Sequence, residues 1–144
     1  MQLIRSFERE RAAAVGLGTR VLLVTKGGGD GVLTRRLAGL GGQVECQAEL
    51  FTGLAMLIDD PYGHGLLVVE CEAFGGLEQV RRACRSLVDQ MVRVPVILVS
   101  GEIPTQIFPT DRHAPVVLRA PVSAVSLRVG FEHALRDRLA LRAS

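Results

Sequence analysis

Cysteine is scarce and badly arranged for cross-linking: Cys46, Cys71 and Cys84 make an odd number with no CxxC spacing and no neighbouring histidine pattern. A disulfide scaffold and a zinc site are both excluded on that ground, and buried thiols are expected instead. Lysine is scarcer still, with Lys26 alone against 16 arginines. Those arginines are scattered among acids, and the formal net charge is only +2. Such a balance gives no electrostatic footprint for nucleic acid. Long apolar runs are missing too. Stretches such as Gly65–Val69 and Val94–Val99 stop far short of the roughly 20 residues needed to cross a bilayer. No membrane span is expected. The first residues, Met1-Gln-Leu-Ile-Arg-Ser-Phe-Glu-Arg-Glu-Arg, mix charges where a secretion signal would need unbroken apolar chain, so a cytoplasmic protein is expected.

What is present is enough apolar chain for one core. Of 144 residues, 48% are apolar, which suits a single domain. Neither the 16 glycines and 6 prolines nor the charged fraction of 22% points to disorder, collagen or coiled coil.

The chain alternates short apolar runs rich in Val and Leu with segments of helical periodicity, five times over. Arg20–Thr25 reads as a first strand. Leu33, Leu37 and Leu40 follow at helical spacing, with Gly41-Gly42 as the stop. Gln43–Gln47 reads as a short second strand. Glu49–Ile58 reads as a helix with Leu50, Leu54, Leu57 and Ile58 on one face, ended by Pro61. Gly65–Glu70 is apolar without alternation, as a central parallel strand covered on both faces should be. The segment Gly76–Arg93 predicts a helix whose stripe is Leu77, Val80, Cys84, Leu87, Val88 and Met91.

Pro95–Ser100 and Pro115–Arg119 are the fourth and fifth strands, with prolines only at their starts. Between them Pro104 and Pro109 interrupt the chain, so the fourth helix is expected to shrink to one or two turns at most. A last helix should run from after Pro121-Val-Ser to about Leu141, burying Leu127, Phe131, Leu135 and Leu139. Parallel strands with right-handed helical crossovers predict an α/β, flavodoxin-like (βα)5 three-layer sandwich, sheet order 2-1-3-4-5. Residues 1–18 lie outside this unit of residues 19–144. With Leu3, Ile4 and Phe7 they read as an extra amphipathic helix or a frayed lead-in.

In such a sheet, ligands and reactive groups gather beyond the carboxyl ends of the strands. Those ends offer Thr25, Lys26 and Gly27-Gly28-Gly29-Asp30 after strand 1, Glu70, Cys71 and Glu72 after strand 3, Ser100 after strand 4, and Arg119, Ala120 and Pro121 after strand 5. From Arg20 to Leu139 the pattern resembles the receiver domain of bacterial response regulators. Pro95-Val-Ile-Leu-Val-Ser100 is similar to that family's fourth strand, closed by a Thr or Ser. Leu118-Arg-Ala-Pro121 is similar to its fifth strand and Lys-Pro turn. Gly65–Glu70 with Gly75-Gly76 resembles its phosphoacceptor strand and following loop, although the loop is about two residues short.

The resemblance implies two acids after strand 1 holding Mg²⁺, an aspartate ending strand 3 that takes a phosphoryl group, a Thr or Ser, and a Lys. Only Ser100 is kept. Thr25 and Lys26 fall on the acidic pair, so a cation stands where a divalent metal should bind. Glu70 takes the acceptor position with an extra methylene, and Ala120 replaces the lysine, with Arg119 adjacent. Because phosphoryl transfer relies on a metal and on positioning, a degenerate receiver without aspartyl phosphorylation is expected, with no metal, no cofactor and no catalytic residue. Glu70 is expected either to pair with Lys26, locking one conformation, or to point into solvent.

A second reading stays open. The loop Gly27-Gly-Gly-Asp-Gly31 could cradle an anion at a helix start, making a small-ligand or phosphate-binding protein. It matches no dinucleotide or P-loop motif, and a turn with Asp30 as helix N-cap accounts for it equally. Cys71, flanked by Glu70 and Glu72, is a poor reactive thiol. His64, His113 and His133 share no ligand spacing. Ser100 lacks a GxSxG context. Protein contact, with a signalling partner or a second copy, is the expected mode of action. Ile107 and Phe108, together with Arg128 and Arg136 on the last helix, form the candidate surface, the alternative for the first two being burial in place of the fourth helix.

Overall fold

A computed structural model describes residues 18–111 and 113–143. The expected lead-in helix over 1–18 therefore lies, but for Gly18, outside the described residues. Strand β1 (Arg20–Val24) is followed by helix α1 (Val32–Gly39), β2 (Gln43–Gln47), α2 (Leu50–Asp59), β3 (Leu66–Glu70), α3 (Leu77–Asp89), β4 (Val96–Ser100), β5 (Val116–Arg119) and α4 (Ala124–Ala143). The five strands form one parallel sheet in the order β2-β1-β3-β4-β5, as the unbroken apolar runs require. Among the described residues, no helix is long and apolar enough to cross a membrane.

Alternation along each strand sends neighbouring side chains to opposite layers. Leu22, Val24, Leu67, Val69 and Leu98 pack beneath α2 and α3, meeting Leu54, Leu57, Val80 and Leu87. Val21, Leu23, Val68, Ile97 and Leu118 pack beneath α1 and α4, meeting Leu37, Leu127 and Phe131. Helix α4 lies so close to β5 that a Cβ on Gly130 would stand 3.0 Å from Leu118 Cδ1. Of the expected buried line on α4, Leu127 and Phe131 have no exposed surface and Leu135 is half-buried; the side chain of Leu139 lies outside the described residues.

The stripe read along α3 holds only in part. Val88 (58% exposed) lies at the edge of the stripe while Leu87 beside it is buried, and Met91 (74%), beyond the helix end at Asp89, sits in a left-handed turn at φ 58° that turns it to water. The amino end of α1 also differs. Its N-cap is Gly31 rather than Asp30, which instead closes a 3-10 turn over Gly28–Asp30.

The fourth crossover differs most. Among its described residues, 101–115 contain no helix at all, a step beyond the shortening expected from Pro104 and Pro109. The chain runs extended instead. Ile103 is buried in the α2–α3 layer, and Ile107 forms an antiparallel bridge with Val117, its N–H donating to the Val117 carbonyl at 2.8 Å and its own carbonyl accepting at 2.9 Å. That bridge covers the otherwise unpaired edge of β5.

Candidate functional site at the carboxyl edge of the sheet

Register aligns the strand ends: Val24 stands beside Val69, Glu70 beside Val99, and Ser100 beside Arg119. Thr25, Glu70 and Ser100 therefore meet at one edge, and two carboxylates there are each held by a hydroxyl. Thr25, almost fully buried, donates from Oγ1 to Glu70 Oε1 at 2.6 Å. The same hydroxyl accepts the Gly27 N–H at 3.0 Å. Across β3, the fully buried Ser100 donates to Glu72 Oε1 at 2.6 Å, and the Gly101 N–H donates to that oxygen at 2.9 Å. Ser100 Oγ in turn accepts the Glu102 N–H at 3.1 Å. Both short O–H···O contacts fall in the range of charge-assisted bonds.

Glu72 reaches Ser100 because a 3-10 turn, Cys71–Phe74, brings the chain back over the sheet edge before Gly75 and Gly76, both at φ near +97° (96° and 97°), turn it into α3. Such φ values favour glycine. Glu102 completes the arrangement by accepting the Leu77 N–H at 2.9 Å, capping α3 from across the sheet. Glu72 was read in the sequence only as one of the groups after strand 3, flanking Cys71, and Glu102 was not singled out. The available signal was an acid two residues past a strand end, opposite a serine ending the next strand.

Lys26 does not pair with Glu70, contrary to the ion pair expected. Its ammonium lies 3.3 Å from Glu49 Oε1 and 5.3 Å from the centre of the Phe74 ring, outside the buried edge, where a strongly hydrated charge is better solvated. Nor does Glu70 point into solvent: it is half-buried and bound by Thr25. Arg119 is exposed and donates from Nη1 to the Pro104 carbonyl at 3.2 Å. It lines, with Ala120, Gln106, Ser123 and Ser126, a separate open depression. The Ala120–Pro121 peptide is cis.

A divalent cation does not fit these residues. The positions that the resemblance assigns to the metal-holding acids carry a hydroxyl bound to Glu70 and an ammonium, and hard cations take oxygen ligands, mostly carboxylate. Among the described residues, no group of three His, Cys, Asp or Glu could hold a metal.

The glycine loop is exposed at Gly27, Gly29 and Asp30, but two of its amides are engaged. Gly27 N–H is engaged by Thr25, Gly31 N–H donates to Gly28 O at 3.2 Å, and Thr34 Oγ1 donates to that same carbonyl at 2.7 Å. Burial, and next the charge of Glu72, push the Cys71 thiol up to about 12. Burial raises Cys84 to about 11. His64 is buried with Nε2 3.0 Å from Glu45 Oε1. Ile107 and Phe108 remain 43% and 37% exposed, so neither is a buried helix substitute. Phe108 lies against the His133 ring of α4, centroids 5.8 Å apart. On that helix Arg128 pairs with Glu132 at 3.3 Å, and Arg136 is exposed.

The sheet order, the helix placement and the meeting of strand ends at this edge define the receiver fold. Comparison with solved structures bears this out. A response regulator receiver domain protein from Clostridium thermocellum superposes with a TM-score of 0.63 at 16% identity, over 85% of this chain and 98% of that one. A mutant of the anti-anti-sigma factor PhyR from Bartonella quintana gives 0.57 at 15% identity, over 94% of this chain and 58% of that one. The receiver domain of the histidine kinase CKI1 from Arabidopsis thaliana, complexed with Mg²⁺ and BeF3⁻, gives 0.54 at 16% identity, over 91% and 96%. No protein-family model and no curated protein matches the chain.

Proposed function

We propose that this chain is a receiver-like signalling module that works by protein–protein contact and is not phosphorylated at its strand-3 carboxylate. The working unit is residues 19–144, placed in the cytoplasm, with no catalytic turnover and no cofactor. The observation that carries the reading is the double clamp at the sheet edge. Glu70 in the acceptor position is bound by Thr25, and Ser100 is bound by Glu72. Phosphoryl transfer draws on metal and positioned donors for nearly all of its rate, and here the donors are spent on internal carboxylates. A fixed conformation follows, recognised through β5, α4 and the Ile107–Phe108 segment. The small-ligand reading is weaker, since the amides at Gly27 and Gly31 already have partners.

The test is incubation of the intact chain with a small phosphodonor and Mg²⁺, followed by intact-mass measurement. No mass gain is expected. Stoichiometric addition of one phosphoryl group would overturn the reading.

A further inference from the structure

The geometry points to a further contact surface at the side of the sheet farthest from β5: we propose that the free edge of β2 pairs antiparallel with β2 of a second copy of this chain, about a two-fold axis at Cys46, to make one continuous sheet. The proposal rests on the reading of the chain as a contact module and names one of its partners.

The two edges of the sheet are finished differently. On β5 the Ile107 bridge occupies the outer side. On β2, the other terminal strand, every strand pairing among the described residues is with β1. The ladder fixes which backbone groups are left over. Gln43 N–H donates to the Thr19 carbonyl at 2.8 Å, and the Gln47 carbonyl accepts the Thr25 N–H at 2.9 Å. Bonding alternates along a parallel strand. Gln43, Glu45 and Gln47 therefore turn their backbone groups to β1, and Val44 and Cys46 turn theirs outward.

Natural sheets blunt an exposed edge with proline, lysine, a bulge, a charge or a cover. Between Gln43 and Gln47 there is neither proline nor lysine, and the register with β1 runs without a bulge. The single charge, Glu45, is held by its own protomer: Oε1 lies 3.0 Å from His64 Nε2 and 3.6 Å from Arg20 Nη2. At five residues the strand is of ordinary length, long enough to pair again.

Register then selects the axis and the occupant. A two-fold axis at Glu45 sets Glu45 opposite its own copy, and like charges directly opposite are destabilising. An axis at Val44 sets Cys46 opposite Gly42, whose N–H is already bonded to the Leu37 carbonyl. An axis at Cys46 has neither fault. It sets Cys46 opposite its own copy and Val44 opposite Ala48, whose N–H has no backbone partner among the described residues. It also sets Glu45 opposite Gln47 of the second copy, on one face and in a non-hydrogen-bonded pair, where side chains approach most closely. Gln47 Nε2 has only the Met56 sulfur at 3.6 Å, so this carboxamide can donate to the Glu45 carboxylate across the axis. The charge that opposes the first register favours this one, and a second β2 answers the edge in backbone and side chain alike.

The test is sedimentation of the full chain over a concentration series, with amide hydrogen exchange read by NMR at its dilute and concentrated ends. A concentration-dependent dimer is expected. Exchange should be slow at Glu45 and Gln47 throughout, because their N–H groups serve the β1 ladder, and slow at Val44 and Cys46 only in the dimer. Gln47→Lys should tighten the dimer at least about threefold and Gln47→Glu weaken it as much, through the charge each sets opposite Glu45. Ala48→Pro removes an outward N–H from an exposed position and should weaken the dimer at least about fivefold. Melting in dilute solution reports the folding of each variant separately. A monomer at every concentration, a dimer that leaves Val44 and Cys46 exchanging quickly, or Gln47 variants that act alike would overturn the proposal. Phosphoryl labelling with the dimer intact removes only the contact-without-phosphorylation reading; a monomer that takes no label removes only the edge pairing.

Discussion

The two ends of the sheet are built on opposite terms. At the carboxyl edge each hydroxyl finds a carboxylate: Thr25 holds Glu70, Ser100 holds Glu72, and Glu102 caps α3. At the amino end, beside β4 and β5, apolar side chains and arginines surround an open groove. The difference teaches how one fold can close one end of its sheet on itself and leave the other uncovered. Polar groups at a buried edge must be satisfied, and without a ligand they satisfy one another.

The sharpest way to break this comparison is to reopen the closed edge. Replacing Thr25 by aspartate puts a negative charge beside Glu70 and removes its hydroxyl donor, and replacing Lys26 by aspartate adds a second acid at the exposed rim, next to Glu49. The double variant should lose on the order of 3 kcal/mol, the cost of uncompensated buried charge. Millimolar Mg²⁺ should return part of that loss, since a cation bound only by the folded state stabilises by mass action. Urea titrations with and without Mg²⁺ give both numbers. A variant as stable as the parent would show that Glu70 does not depend on Thr25 for its place.

The next effect separates the two clamps. Thr25→Val leaves the half-buried Glu70 Oε1 without its hydroxyl donor and should cost about 1–3 kcal/mol, whereas Ser100→Ala should cost less, because Glu72 is exposed and keeps the Gly101 N–H. The two hydroxyls bind different acids, so the losses should add to within about 0.5 kcal/mol. Coupling well above that would mean one network rather than two.

How much of this was legible beforehand varies with the kind of information required. Strand positions and sheet order follow from apolar runs such as Leu66–Val69, which periodicity reports directly. Helix α3 was legible too, but not its end. Periodicity alone placed Val88 and Met91 in the core, although Val88 sits at the margin of the buried stripe and the chain has left the helix before Met91. Thr25, Glu70 and Ser100 lie at one edge because strand ends are a matter of topology. Their partners are not, because Lys26 can reach Glu49 or Glu70 and only the path of the Gly27–Asp30 turn decides. The bridge of Ile107 to Val117 was invisible for a similar reason. A single bridge residue has no periodicity, and its pairing with Val117 depends on the whole fourth crossover being extended.

The smallest effect compares the two ends through their thiols. Cys71 lies under the closed edge with no exposed surface; Cys84 lines the groove and is half-buried. Folding raises both above the ordinary value of 9.0, to about 12 and about 11, by burial in each case and at Cys71 by Glu72 as well. The folded state therefore holds these protons after the unfolded chain has released them. Stability attributable to the thiols is fully present below 9.0 and falls as pH rises toward the folded values, by at most ~1.4 kcal/mol per pH unit for each thiol. The double variant Cys71→Ala, Cys84→Ala should flatten that alkaline decline in a urea-midpoint series. Alkylation at about pH 8, below both thiol values, should reach Cys84 before Cys71, because only the groove gives the reagent access. Equal rates would mean that the carboxyl edge opens as readily as the groove, and the contrast between the two ends would fail.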